Sequence, residues 1–327
     1  MPVTRKMLGS FAAVAVLSLS LAGCAAENSE TPAAEEAPTA AAAESAIECS
    51  IGMVQINQTA AFFTEMNKGA EEAAAATGCD ITISNANGDA TKQASDIENF
   101  VTQGVTGLIV VAIDVNAVLP AIQAAMDAGI KVVAIDAALE EGYYDTFVGV
   151  DNAAAGAVIG QWAIDNGYAA GNYGVVGAKS SFIQNLREDA FRASVDTAGA
   201  MFTQSVSGDN VQEQAADAAT NLVTAQPDLS FIYTTGEPAT VGVVAALGSN
   251  SPTKVIGWDL TAEVIAGLDS GTVVGIVQQD PYQEGIEGVN EIFALLGGAA
   301  AKGFIDVPIV IVTNSNVDPY RAVFPAG

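Results

Sequence analysis

The chain contains no histidine, and that absence removes several chemistries at once. Without an imidazole there is no Ser-His-Asp or Cys-His pair to activate a nucleophile and no His ligand for a transition metal. The sequence also lacks a Gly-x-Ser-x-Gly elbow, a glycine-rich phosphate loop and any cysteine cluster at metal-ligand spacing. No metal and no cofactor is expected. Bases are scarce too: 11 Lys and Arg stand against 38 Asp and Glu, a formal charge of −27. Such a field repels phosphate backbones and anionic headgroups, which argues against nucleic acid and direct membrane-surface binding. The same acidity keeps an exported protein soluble, so it says little about a ligand.

Long apolar runs are reduced to one. Met7 to Gly23 spans 17 residues, at the lower edge of a bilayer crossing. It follows Arg5 and Lys6 and leads into Leu21-Ala22-Gly23-Cys24, so the order is charged start, apolar stretch and small-residue cut site of an export signal. The ending resembles the lipobox of bacterial lipoproteins, in which the cysteine takes a lipid thioether and becomes the new N-terminus. The resemblance implies a signal peptide over 1–24 and an exported protein anchored through Cys24 to the outer side of the cytoplasmic membrane or in the periplasm. Residues 25–48 are Ala, Glu, Thr, Ser and Pro with almost no large apolar side chain, the composition of a disordered acidic tether. The remainder, 49–327, is long enough for two cores of ordinary domain size.

Only three cysteines are present. With Cys24 assigned to lipid, Cys49 and Cys79 are left in an oxidising compartment. Each stands at the entrance of a predicted strand, before Ser50 to Ile56 and before Asp80 to Ser84. Neighbouring strand starts in a parallel sheet lie about 4.8 Å apart, within reach of a disulfide. A Cys49–Cys79 bridge and two buried thiols are the alternatives; both mark the end of the sheet away from any site.

Short β-branched runs alternate with Ala-rich stretches of helical period: Ile51–Ile56 then Ala61–Ala76, Ile81–Ser84 then Ala90–Gln103, Gly107–Val111 then Ala117–Ala128, then Lys131–Ile135. After Thr146–Val150 the rhythm restarts and continues to Gln283–Leu296. It predicts an α/β fold of two Rossmann-like lobes, each a parallel sheet flanked by helices and joined to the other by a multi-strand hinge. The expected lobes are 49–151 with 280–310, and 152–279 with 311–327.

Ligands of open parallel sheets meet the carboxyl ends of the strands. That rule selects Gln55 to Gln58, Ile113 and Asp114, Asp136, Lys179 to Asn185, Thr235 to Glu237, Asp259, and Gln278 with Gln279. Nearly all are polar, forming a rim suited to a small, hydroxyl-rich solute. Phe62 and Phe63 add faces for a sugar ring, and adjacent helical positions cannot share one face, so at least one should look into the cleft. Each candidate has a plainer role. Asp136, Asp259 and Asp114 suit helix caps, and Glu237 before Pro238 suits a helix start. Arg187 contacts ligand or pairs with Glu188 or Asp189 on a solvated helix.

At these residues the chain resembles the type I periplasmic-binding-protein family of the ribose and galactose receptor kind. The motifs are Ala61-Phe62-Phe63 through Lys68-Gly69-Ala70, Gln103-Gly104-Val105-Thr106-Gly107-Leu108-Ile109, Lys131-Val132-Val133-Ala134-Ile135-Asp136, Val148-Gly149-Val150-Asp151-Asn152, Gly257-Trp258-Asp259 and Gln279-Asp280-Pro281. The resemblance implies that Asp136 and Asp259 accept hydrogen bonds from sugar hydroxyls, one from each lobe, with Gln279 doing so near the hinge. Phe62 and Phe63 would flank the ring, and Asn185 and Glu237 would contact ligand. It also implies a monomeric, non-catalytic receptor that closes around a monosaccharide or polyol and delivers it to an ABC permease. A sensor presenting a sugar or furanone signal to a chemoreceptor or histidine kinase is the alternative, and a glycosidase using Asp136 and Asp259 stands behind both. Ribose-type receptors follow the strand-ending Asp with Arg, where this chain has Ala137. They carry Arg near Asn185, Asn near Gly236 and Asn near Val111, so at least three polar partners are expected to be missing or replaced. Buried hydroxyls without partners cost about 1–3 kcal/mol each, and the pocket is therefore expected not to be built for ribose itself.

Overall fold

A computed structural model describes residues 47–58, 61–249 and 251–326. The signal segment with Cys24 and nearly all of the 25–48 tether lie outside the described residues.

The first sheet takes strands β1 (Ser50–Gln55), β2 (Asp80–Asn85), β3 (Gly107–Val110), β4 (Lys131–Ile135) and β5 (Thr146–Gly149), interleaved with helices α1 (Ala61–Thr77), α2 (Ala90–Gln103) and α3 (Leu119–Asp127). The chain then enters a second unit of the same rhythm: α4 (Asn152–Asp165), β6 (Asn172–Gly177), α5 (Phe182–Thr197), β7 (Met201–Ser207), α6 (Gln212–Ala225), β8 (Leu229–Thr234), α7 (Glu237–Leu247), β9 (Lys254–Trp258), α8 (Ala262–Ser270) and β10 (Val273–Gln278). It returns through α9 (Pro281–Leu296) and β11 (Gly303–Asp306) and leaves again to β12 (Val310–Val312). The six-stranded sheets run β11-β5-β4-β3-β1-β2 and β12-β10-β9-β8-β6-β7. Their pairings are parallel apart from the antiparallel β10–β12 edge. Two α/β lobes result, and the chain passes between them after β5, after β10 and after β11.

Local chemistry accounts for the element ends that matter to the site. Helix α9 starts where Asp280 accepts a hydrogen bond from the Gln283 N–H and Pro281 supplies a preset φ. Its start is pressed onto α1 through two glycines. A Cβ on Gly69 would lie 2.0 Å from the Tyr282 carbonyl oxygen, and one on Gly285 would lie 2.1 Å from that of Met66. Neither position admits a side chain, and this close approach sets α9 beside the Phe62 end of α1.

At the opposite end of the first sheet, Cys49 and Cys79 are joined by a disulfide. Their strands pair in parallel with Ser50 opposite Asp80. The two lobes differ in filling. Ile51, Met53, Leu108, Ile109, Val133 and Ile135 make the first lobe's interior aliphatic. In the second, Tyr173, Phe191, Phe231, Tyr233 and Trp258 form an aromatic layer on one side of the sheet.

Candidate functional site

β4 and β9 end in the same way. The residue after each, Asp136 and Asp259, has a left-handed backbone with φ of 63° and 61°. Few non-glycine residues adopt that conformation, and Asp is among those that tolerate it. Each N–H still bonds to the neighbouring strand, Asp136 to the Val148 carbonyl at 3.0 Å and Asp259 to that of Val277 at 2.8 Å. The reversal therefore comes immediately past the last sheet hydrogen bond. Such conformations, held by the surrounding fold, concentrate at functional sites. Neither aspartate caps a helix: Thr261 caps α8, and no helix follows Asp136 before β5.

Between these ends sits Arg187, 3% exposed. Its Nε donates to Asn152 Oδ1 at 2.7 Å, Nη1 to the Thr235 carbonyl at 3.0 Å, and Nη2 to Gln279 Oε1 at 3.3 Å. Its guanidinium carbon lies 3.6 Å from the centre of the Trp258 ring. Trp258 in turn donates to the Tyr233 hydroxyl at 2.7 Å. Gln279 closes the chain by donating from Nε2 to both Asp259 oxygens, at 3.0 and 3.2 Å. Gln278 fixes the neighbouring loop, accepting from the Leu260 N–H at 2.8 Å and donating to the Gln279 carbonyl at 2.7 Å.

Electrostatics follow from this packing. Burial raises the Asp136 and Asp259 carboxyls above the ordinary range, and Arg187 opposes the rise in both. Burial lowers Arg187, and the charges of Asp259 and Asp136 hold it back up. Glu237, in the first turn of α7, is pushed up to about 7 by burial and then by the negative charges of Asp259 and Glu263.

A cavity of about 540 Å³ opens beside Asp259 and Gln279, lined also by Phe62, Lys68, Glu237 and Tyr320 among others; Asp136 is not among its lining residues. That volume lies within the ~300–1,000 Å³ of small-molecule sites. Phe62 reaches it; Phe63 does not line it and meets Phe62 edge-on at 5.2 Å, both partly buried against the first lobe's core. Asn185 is not among the lining residues either, and its amide donates to the Lys179 carbonyl at 3.0 Å. Asp114 accepts from the N–H groups of Asn116 and Ala117 at 2.8 and 3.1 Å, a turn cap.

Two sequence expectations need correction at Arg187. It does not pair with Glu188 or Asp189 on a solvated helix, because Glu188 pairs with Lys179 and Arg192 while Arg187 points inward. Nor is an arginine near Asn185 missing, since Arg187 stands two residues along and is buried at the strand ends. A signal for this was available: Gln184, Arg187, Glu188, Phe191 and Val195 recur at helical spacing and form the buried face of α5. The residue missed, Glu284 of α9, is fully buried and is treated below.

Comparison with known proteins agrees with this architecture. The family model described as "periplasmic binding protein domain" matches residues 51–300. The ribose import binding protein of Bacillus subtilis is 26% identical over 269 residues, covering 82% of this chain and 88% of that protein. A xylitol-binding protein of Mycolicibacterium smegmatis is 25% identical, covering 97% and 88%. Among solved structures, a periplasmic ribose ABC transporter protein from Conexibacter woesei superposes with a TM-score of 0.78 at 24% identity, covering 85% of this chain and 96% of that one. The chain belongs to the periplasmic binding protein domain family. It is a binding protein rather than an enzyme, and the glycosidase reading is set aside.

Proposed function

We propose that this protein is an extracytoplasmic solute receptor of an ABC-type importer, closing its two lobes around a sugar-like molecule and handing it to a membrane permease. The observation that carries the reading is the pair of strand-end carboxyls, Asp136 from one lobe and Asp259 from the other, both close enough to the buried Arg187 for its charge to act on them. Carboxylates accept charge-assisted hydrogen bonds from neutral hydroxyls, which are stronger than neutral ones. Phe62 supplies a ring face at the cavity that Asp259 lines. Relatives named for ribose import and xylitol binding support a monosaccharide or polyol. Ligand favours the closed form by its excess affinity for it, with the chain crossings between the lobes acting as hinge. In this reading the receptor is a monomer, and the Cys24 thioether keeps it at the membrane. Among the described residues no helix is long and apolar enough to cross a bilayer.

Calorimetry against pentoses, hexoses and polyols tests the reading. Asp136→Ala and Asp259→Ala should each lower affinity for the bound solute by roughly 10–100-fold, the worth of a hydrogen bond to a charged group, while the ligand-free protein melts within a few degrees of wild type. Undiminished affinity in both variants refutes the assignment.

A further inference from the structure

Glu284 sits in the interior with no exposed surface. Both of its carboxyl oxygens lack a hydrogen-bond partner. A buried carboxyl in that state is costly, and native structures keep one only for a reason. Its direction follows from its helix. One turn further along α9, a Cβ on Gly288 would meet Ile135 at 2.7 Å. Two turns along, Glu291 accepts a hydrogen bond from Thr146 at 2.8 Å. The face of α9 carrying Glu284 therefore lies on β4 and β5, and Glu284, nearest the helix start, reaches the carboxyl ends of those strands where Asp136 departs. Burial pushes its carboxyl well above the usual carboxylate range, the charges of Asp136, Asp259 and Asp280 push it further, and Arg187 opposes them.

The charge balance at the strand ends is lopsided. Asp136, Asp259, Glu237 and Glu284 provide four carboxyls against the buried Arg187, while the one lysine lining the cavity, Lys68, is offset by Glu65 at 3.9 Å. Arg187 spends its donors on Asn152, Thr235 and Gln279 rather than on any carboxylate. Residue 137, beside Asp136, is alanine. Neutral hydroxyls would satisfy the acceptors of this group without offsetting its charge; an ammonium does both.

Resting on the sugar-receptor reading, we propose that the solute carries a cationic amine beside its hydroxyls, an aminated sugar or aminopolyol, and that Glu284 is the specificity-determining residue that receives the amine. The test is calorimetry at neutral pH on the full chain with matched pairs: D-glucosamine and D-glucose, D-galactosamine and D-galactose, D-glucamine and D-sorbitol. In at least one pair the aminated member should bind roughly tenfold tighter or more, as a charge-assisted bond requires. Glu284→Gln, which keeps the shape and removes the charge, should bring the two affinities of that pair together. Should Glu284→Gln fail to fold, the wild-type ratio decides the charge claim, and Glu284→Asp, which keeps the charge, should retain the preference. Neutral members binding as well as or better than their partners overturn the inference and leave the sugar reading standing, as does a preference that survives Glu284→Gln. Silence across both columns overturns the two together.

Discussion

In the second lobe the strand-end carboxylate of Asp259 is held by Gln279, which is tied to Arg187, which lies on Trp258, which bonds to Tyr233. The corresponding carboxyl of the first lobe, Asp136, leaves an aliphatic core, and its backbone N–H to Val148 is what locates it. That lobe spends its covalent link at the far end of the sheet, at Cys49–Cys79, whereas no cysteine occurs in the second lobe. The contrast teaches that Asp259 is held through its side chain by a polar and aromatic network, while Asp136 is located by its backbone bond to β5, with buried Gln55 and Gln93 tying the loops around it. In such a division the second lobe presents a shaped half-site, and ligand contact and lobe closure complete the first.

The comparison breaks most readily at Arg187. Arg187→Ala leaves Gln279, Asn152 and the carboxyls without their buried cation, and a loss of about 3–5 kcal/mol in denaturant-induced unfolding is expected. Arg187→Lys should rescue little, because an ammonium cannot reproduce the guanidinium fork or its stacking on Trp258. Stability unchanged by Arg187→Ala would show that the second lobe's network is ornamental.

Next in size is the first lobe's staple. Paired Cys49→Ser and Cys79→Ser substitutions open a link across a sequence separation of 30, worth about 3.5 kcal/mol in the chain-entropy model. Solute affinity should stay within about twofold of wild type, because the link lies at the end of the sheet away from the cavity. A thiol assay on the native protein should find Cys49 and Cys79 unreactive.

Phe62 and Phe63 sharpen the comparison within the first lobe. Phe62→Ala should weaken solute binding by about 1–2 kcal/mol, roughly the worth of an aromatic face. Phe63→Ala should show mainly in the melting temperature, since Phe63 packs on the core and does not line the cavity. Equal binding losses in calorimetry would place both rings against the solute.

The smallest effect is expected at Glu237. Its folded-state value of about 7 stands above the ordinary 4.5 of a glutamate, so between those values the native protein holds more proton than the unfolded chain. Stability from this group is full below about pH 4.5 and falls as pH rises through about 7. Urea midpoints measured across that window should show a shallow decline, which Glu237→Gln removes.

Much of the architecture was legible beforehand because it rests on periodicity. The β-branched runs such as Ile51–Ile56 and Lys131–Ile135 and the Ala-rich helices between them coincide with strands and helices of the structure. Gly104 and Gly271 take the left-handed conformation that ends α2 and α8. The strand-end rule brought Asp136, Asp259 and Gln279 to attention without any side-chain geometry. It was blind to Arg187 and Glu284, which lie within helices rather than at strand ends. Charged residues on helices are ordinarily solvated, and only the packing partner reveals the exception.

Residue order alone dictated the alternation of strands and helices, the acidic composition and the place of an aspartate after β4 and after β9, because each depends on neighbours a few residues apart. Which helical charges turn inward depended on the folded arrangement. Arg187 is buried because Trp258, Asn152 and Gln279, distant in the chain, converge on it. Glu284 is buried because its face of α9 lies on β4 and β5. Those are contacts between separate elements, and no local pattern encodes the free energy of burying a charge that its partners supply from elsewhere.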